Sequence, residues 1–546
     1  MFALAELEYH AGNFIAAHDL ITQAIESIEA LRSSVPSTTL RATYYARKRR
    51  FFDLLTEIDM AKPGDEAMGF LASEQARGRS LLDLLTGGVV ANQIPQALLV
   101  RRMNLRQQIG AFAIRLTDPY PPHPSETAQR NLDRDREEAR RHIELLLSED
   151  DQVESEITQA AHRSALGRPL KSMDQLQRAV PNGSAILEYY LGERASYLWV
   201  VLPDRVRSFR LPPRVSIEEL AFRTVTRFGA ILDRRRSPQA QRAFEADLRR
   251  LSKVLLGPLS GFPLPKRLIL VLDGVLNRVP MAALRQPEAR EALGLTFELI
   301  NAPSAAYLLA ATPPKAVPTF RYSALAVADP VFGADDPRAT VTLGSAVRPS
   351  SLPRLPFTNE IAALKSFIAP ARIRIVEGFD ASPRTLRNLN LGGFAVLHFS
   401  THAFIDDRIP ELSRVALSLV DPTGHPVDGY LRPFQFSEFR LDHSIVVLSS
   451  CDSALGKEVI GEGLVGFATS LFSAGASQLV LTVANVDAES SAVFFEEVYR
   501  RFFGTRAVGM ESALMLARRA LVHSSRWSDP YYWASFTVIG SPSAIK

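Results

Sequence analysis

The chain has 546 residues, 63 of them Lys or Arg against 59 Asp or Glu, for a formal net charge of +4. Apolar residues at 46% and charged residues at 22% exclude wholesale disorder and collagen-like repetition, and no apolar run reaches the ~18–20 residues of a membrane span. A single cysteine rules out an internal disulfide and a multi-thiolate zinc site, and Met1 to Leu7 has neither the basic stretch nor the apolar core of a signal peptide. A soluble, cytoplasmic protein of about three to four domains is therefore expected. The basic clusters Arg47-Lys48-Arg49-Arg50 and Arg234-Arg235-Arg236 lack interleaved aromatic side chains and read as solvated faces. Neither nucleic acid nor membrane is an expected partner.

Residues 1–90 read as helical. Leu4, Ala5, Ala17, Leu20, Ile21, Ala24, Ile25 and Ile28 mark two helices broken at Gly12-Asn13, a pattern that resembles one tetratricopeptide repeat. Such a unit needs neighbours to bury its apolar face. A further helix is expected over 66–86, stopped by Gly87-Gly88. Residues 91–170 read as a polar helical hairpin, its arms near 94–116 and 129–166, reversing across the Pro-rich bend 119–124.

Near Pro181 the period changes to short β-prone runs at hairpin spacing, 185–191, 197–202 and 206–211. Residues 267–273 form an apolar run ending in Asp-Gly, the look of a buried parallel strand. From about 320 strands and helices alternate. Strands are expected at 323–328, 373–377, 394–400, 415–420, 444–450, 478–483 and 536–539, with helices at 358–368, after Ser382-Pro383, and at 464–474, 490–503 and 507–522. This alternation predicts a mostly parallel α/β sheet with helices on both faces, divided between residues 175–310 and 315–546.

In an open parallel sheet the functional groups collect beyond the carboxyl ends of the strands. Two apolar runs end in reactive residues, Ala395-Val-Leu-His-Phe-Ser-Thr-His402 and Ile445-Val-Val-Leu-Ser-Ser-Cys451. If these strands are neighbours, His402 and Cys451 meet at one edge, where an imidazole holds a thiol as thiolate and later protonates a leaving amine. His402 lies about 50 residues upstream of Cys451, the spacing seen in caspases. Taken singly, a cysteine or a histidine at a strand end reads as a structural residue; the pair, with Ser449, Ser450, Asp452 and Ser453 around it, reads as a site. His398 shares a strand face with His402 but lies deeper, where packing and a hydrogen bond are expected, and His443 falls at the opposite edge. His398, His402 and Cys451 lack metal-ligand spacing, so neither a metal nor a cofactor is expected. Gly461-Glu-Gly463-Leu-Val-Gly466 fits the dinucleotide pattern, with Asp487 further on. That fingerprint requires its glycines directly after a strand, and here residues 451–460 intervene. The glycines read as allowing loop and helix to pack on the sheet.

The segments Leu397-His-Phe-Ser-Thr-His402-Ala403, Leu448-Ser-Ser-Cys451-Asp452-Ser-Ala454-Leu-Gly456 and Gly461-Glu-Gly-Leu-Val-Gly466 resemble CHAT-domain proteins, caspase-like peptidases often preceded by tetratricopeptide repeats. Ala474-Gly-Ala476, Pro530-Tyr-Tyr-Trp-Ala-Ser-Phe536, Leu272-Asp-Gly274, Arg278-Val-Pro280 and Glu74-Gln-Ala-Arg77 extend the likeness from about residue 70 onward. The resemblance implies a caspase-like α/β sheet with a degenerate half at 175–310 and a dyad-bearing half at 315–546, behind an all-α region at 1–90 and 91–170. It implies Cys451 as nucleophile, His402 as general base and then acid, and the backbone N–H groups of Ala403 and Cys451 as oxyanion donors. Ala403 stands where many caspase relatives have glycine, and a positive φ there would strain alanine. Residues 484–487 depart from the family, which often has a tryptophan in this stretch. Several relatives cut after Arg or Lys through a carboxylate in the first specificity pocket. Asp406, Asp452 and Asp487 are the candidates for that role, each also readable as a loop or cap residue, Asp487 in particular as a helix cap. The expected function is a cysteine endopeptidase acting on a protein or peptide substrate, regulated by a protein partner bound to the N-terminal helices. The alternatives are a non-catalytic CHAT-type scaffold and, more weakly, nucleotide binding at residues 461–466.

Overall fold

The computed structural model describes residues 1–32, 38–61, 66–75, 77, 81–82, 95–117, 125–160, 170, 172–230, 237–310, 320–340, 352–355, 358–406, 409–449, 457–459, 463–465 and 467–543. Helices α1 (Phe2–His10) and α2 (Phe14–Arg32) turn on Gly12, whose φ of +80° suits a residue without Cβ. With α3 (Thr38–Met60) and α4 (Glu66–Gln75) they bury a small core of Ala5, Ala17, Ile21, Ile25, Phe52, Leu55 and Ile58. The region expected as one helix over 66–86 is helical at 66–75 and again at 81–82; the rest of that stretch, with Arg77 excepted, lies outside the described residues. Two long helices, α5 (Gln96–Thr117) and α6 (Glu126–Ala160), lie side by side as a hairpin.

A short helix α7 (Met173–Ala179) leads into an eleven-stranded mixed sheet. Its first part comprises β1 (Ser184–Tyr190), β2 (Ser196–Val201), β3 (Val206–Leu211), β4 (Arg267–Val271) and β5 (Glu298–Asn301). Helices α8 (Arg214–Gly229) and α9 (Pro238–Leu256) connect β3 to β4. The start of α9 follows from its sequence: Ser237 accepts the Ala240 N–H at 3.4 Å and Pro238 fills the first helical position. Helix α10 (Ala305–Ala310) follows β5.

The second part comprises β6 (Tyr322–Ala328), helix α11 (Thr358–Phe367), β7 (Ile373–Glu377) and β8 (Phe394–Ser400). After the short strands β9 (Ala403–Phe404), β10 (Arg414–Ala416) and β11 (Tyr430–Leu431) come helix α12 (Pro433–Phe436) and β12 (Ile445–Ser449). The hairpin β13 (Lys457–Val459) and β14 (Gly463–Val465), helix α13 (Phe467–Ser473), β15 (Gln478–Thr482), helices α14 (Ala488–Phe502) and α15 (Met510–Val522), and β16 (Phe536–Gly540) complete it.

The strand order is β3-β2-β1-β4-β5-β16-β15-β12-β8-β6-β7. Within it β1, β4 and β5 run parallel, as do β15, β12, β8, β6 and β7; β2 and β3 are antiparallel additions, and β16 is antiparallel to β15. Central strands such as β2, β4 and β15 are buried at every position, so both faces of the sheet are covered, as their unbroken apolar runs require. One apolar core runs beneath both parts, from Phe70 to Ile539. Two expectations are corrected. The apolar run at 415–420 is not a strand of the main sheet: only Arg414–Ala416 is a strand, in a separate ribbon ordered β11-β10-β9, because Leu417 and Leu419 donate instead to the Gly429 and Val331 carbonyls. The glycine-rich stretch contributes Gly463 to the β13–β14 hairpin, paired with Val459, instead of opening a helix; Gly461 and Gly466 lie outside the described residues.

Candidate active site

The strands that end in reactive residues are neighbours. Strand β12 pairs in parallel with β8, from Ile445 opposite Val396 to Ser449 opposite Ser400, so their carboxyl ends share one edge of the sheet. His402 lies two residues past the end of β8 and is partly exposed. Its Nε2 bonds the Pro353 carbonyl oxygen at 2.9 Å. A carbonyl only accepts, so Nε2 carries the proton and the neutral ring keeps its basic lone pair on Nδ1. The ring packs near Phe332 (centroids 5.3 Å apart, tilted) and Phe404 (6.2 Å, stacked). Burial against these rings lowers the His402 pKa from its ordinary value, and the bond to Pro353 offsets this in part. The ring is therefore a neutral base at neutral pH.

The carbonyl that orients His402 is itself tethered. Arg354, the next residue, grips Asp329 with Nε–Oδ1 at 2.8 Å and Nη2–Oδ2 at 2.6 Å, and Arg338 reaches the same carboxylate at 2.9 Å. Asp329 sits just past β6 with φ at +46°, a left-handed conformation uncommon for a residue with Cβ. Nothing in the side chain of Pro353 signals this role. The loop beyond His402 has a second support: Ile409 and Leu412 pack on Ile109 and Ala113 of α5 and Ile143 of α6.

Ala403 lies in the extended strand β9 opposite Val415, so the concern about glycine at this position falls away. Ala416 N–H donates to the His402 carbonyl at 2.8 Å. By the alternation of an antiparallel ladder, Ala403 forms the non-bonded pair, and its N–H points away from β10 at the outer strand of the ribbon. Asp406 Oδ1 accepts the Ile409 N–H at 2.8 Å. Asp487 caps α14, accepting the Ser490 N–H at 2.9 Å, beyond the carboxyl end of β15 and hence at the same sheet edge. Cys451 and Asp452 lie outside the described residues.

His398, in β8 four residues before His402, is fully buried, bonded through Nε2 to Glu360 at 2.9 Å and through Nδ1 to the Tyr499 hydroxyl. Glu360 also accepts from Ser400 and Ser449. Sequence reasoning missed this carboxylate, although a signal existed: His398, Ser400 and Ser449 are polar residues inside apolar strands and require a buried partner. Among the described residues no group of His, Cys, Asp and Glu is arranged to hold a metal, and no helix is long and apolar enough to cross a membrane.

A mixed sheet of this order, with flanking helices and an all-helical region before it, is the caspase-like fold of separase. The sequence model of the CHAT domain matches residues 245–541, more than half of the chain, and the chain belongs to the CHAT-domain family. The structure is similar to separase of Saccharomyces cerevisiae, solved in complex with securin, with a TM-score of 0.52 at 10% identity over 97% of this chain and 37% of separase. It is also similar to the Arg-specific cysteine proteinase gingipain R (TM-score 0.34, 11% identity, 55% of this chain and 67% of that one) and to the Porphyromonas gingivalis RgpB pro- and mature domains (0.34, 12%, 60% and 76%). This chain thus spans well under half the length of separase. No curated protein matches it.

Proposed function

We propose that the protein is a caspase-like cysteine endopeptidase in which His402 and Cys451 form the catalytic dyad. Nδ1 of His402 takes the thiol proton of Cys451, and the thiolate attacks the scissile carbonyl carbon. The resulting oxyanion is met by the N–H groups of Ala403 and Cys451; losing one such donor costs ~10²–10³ in rate in other hydrolases. The imidazolium then gives its proton to the leaving amine, and a thioester remains on Cys451. Water, deprotonated by the same ring, hydrolyses the thioester and restores the thiol. The observation that carries this reading is the state of His402: a neutral ring at a strand end, its Nε2–H held by the Pro353 carbonyl and its Nδ1 left basic.

A carboxylate among Asp406, Asp452 and Asp487 is proposed to select a basic residue before the cleaved bond. The helical regions 1–90 and 91–170 are proposed as the seat of a protein partner. Separase is described in complex with securin, and the α5–α6 hairpin rests on the loop that follows His402. The test is digestion of a peptide library by the full chain. The wild type is expected to cleave, while Cys451→Ala and His402→Ala are inert. Equal cleavage by wild type and Cys451→Ala removes the enzyme and leaves the scaffold.

A further inference from the structure

We infer that Glu360 is a positioning residue for this dyad, one carboxylate fastening β8 to β12 at the rung from which both reactive residues are counted; the inference rests on the dyad reading above. Glu360 sits on α11 with no exposed surface. Its Oε1 accepts from the Ser449 hydroxyl at 2.9 Å, and its Oε2 from the Ser400 hydroxyl at 2.8 Å and from His398 Nε2 at 2.9 Å. Ser400 and Ser449 are direct register partners and the final residues of their strands. In the sequence His402 lies two residues beyond the one and Cys451 two beyond the other.

The arrangement is more than packing requires. A carboxylate under a sheet is costly unless its oxygens are fully bonded, and an apolar side chain would fill the same space without that cost. Here both oxygens are bonded, and the ring that helps to hold them is held in turn. The Tyr499 hydroxyl meets His398 Nδ1, and burial together with the Glu360 charge keeps that phenol well above its ordinary pKa, so it remains a donor. Ser400, Ser449 and His398 are all buried, so none of them touches a substrate and Glu360 acts only through the two strands. Two bonds reach β8 and one reaches β12, which makes Ser449 the point where the tie can be cut while the carboxylate stays bonded.

The chain has one cysteine, so alkylation by iodoacetamide reads one residue. The experiment follows that rate on the full chain at pH 6.5, per folded molecule as judged by circular dichroism, alongside the melting temperature. In the wild type, His402→Ala is expected to slow alkylation. Ser449→Ala is expected to slow it about tenfold, the loss of thiolate as a thiol returns toward its free pKa of about 8.5. Glu360→Ala, where it folds, is expected to match Ser449→Ala, and the double variant to be no slower, since each cuts the same tie. Glu360→Gln is expected to keep most of the rate: its amide accepts from the β8 side and donates to a Ser449 hydroxyl turned to accept. Folded Ser449→Ala protein that alkylates at the wild-type rate with its His402 dependence intact overturns the inference, whatever its melting temperature. A wild type indifferent to His402→Ala removes the dyad reading, and the inference with it.

Discussion

The two parts of the sheet treat the carboxyl ends of their strands in opposite ways. In the first part the ends of β1 and β4 are filled with charge. Asp273, just past β4, meets Arg49 of α3 at 2.7 Å and Arg77 at 3.5 Å, and accepts the Leu191 N–H at 2.9 Å. Asp53 bonds Arg49 at 2.9 Å, Arg214 at 3.0 Å and the Tyr190 hydroxyl, while Arg77 also reaches Glu188 at 3.7 Å and the Tyr189 carbonyl. Burial opposes the Asp273 charge, yet the two guanidiniums hold its carboxyl well below the usual carboxylate range. In the second part the buried charge lies lower, at Glu360, and the strand end presents the partly exposed ring of His402. Because β5 runs parallel to β16 and β16 antiparallel to β15, these two sets of strand ends lie at opposite edges of one sheet: one edge anchors the N-terminal helices and the other is an open rim. A sheet edge becomes a site only where ionic packing leaves it open.

The largest expected effect tests the anchor. Asp273→Asn removes the carboxylate that Arg49 and Arg77 share, leaving Arg49 with Asp53 and Arg77 with Glu188, and is expected to lose about 3–5 kcal/mol in urea unfolding, whereas His402→Gln at the open rim is expected to lose less than about 1 kcal/mol. Equal losses would erase the contrast between the two parts. Next, Ile143→Ala, on the hairpin face that packs against Ile409 and Leu412, is expected to lose about 2–4 kcal/mol of local stability and to speed amide exchange over 409–416; unchanged exchange there would separate the hairpin from the rim. Asp487→Ala removes a helix cap and is expected to lose about 1 kcal/mol by thermal melting. The smallest effect is a pH slope. Because the folded protein holds the His402 pKa below its unfolded value of about 6.5, the unfolded chain binds the proton more readily. Stability from this residue is complete above about pH 6.5 and declines as the pH falls toward the folded pKa. His402→Gln is expected to remove that slope, and a slope that survives belongs to another group.

Much of this was legible in residues read alone. The apolar runs at 394–400 and 444–450 mark two parallel strands that prove to be neighbours, and Asp487 reads as the cap that it is. The helical hairpin follows from its mixed charges and the Pro-rich bend. What stayed hidden depends on long-range pairing or on backbone atoms. Glu74-Gln-Ala-Arg77 reads as part of a helix, yet Glu74 accepts the Ala305 and Ala306 N–H groups at the start of α10, and Arg77 reaches Asp273, nearly 200 residues away. The Pro353 carbonyl carries no side-chain signal. The run at 415–420 has the composition of a buried strand, and only the neighbouring Gly429 and Val331 carbonyls divert it.

Strand β16 lies between β5 and β15, so among the described residues the two parts of the sheet are joined through residues 536–540. Every other described element precedes β16 in the chain, and so do residues 402 and 451 in the sequence. Until β16 is inserted, β5 and β15 each present a bare edge, and a nascent chain carries two incomplete layers. Joining the two parts into one sheet therefore waits on this short stretch.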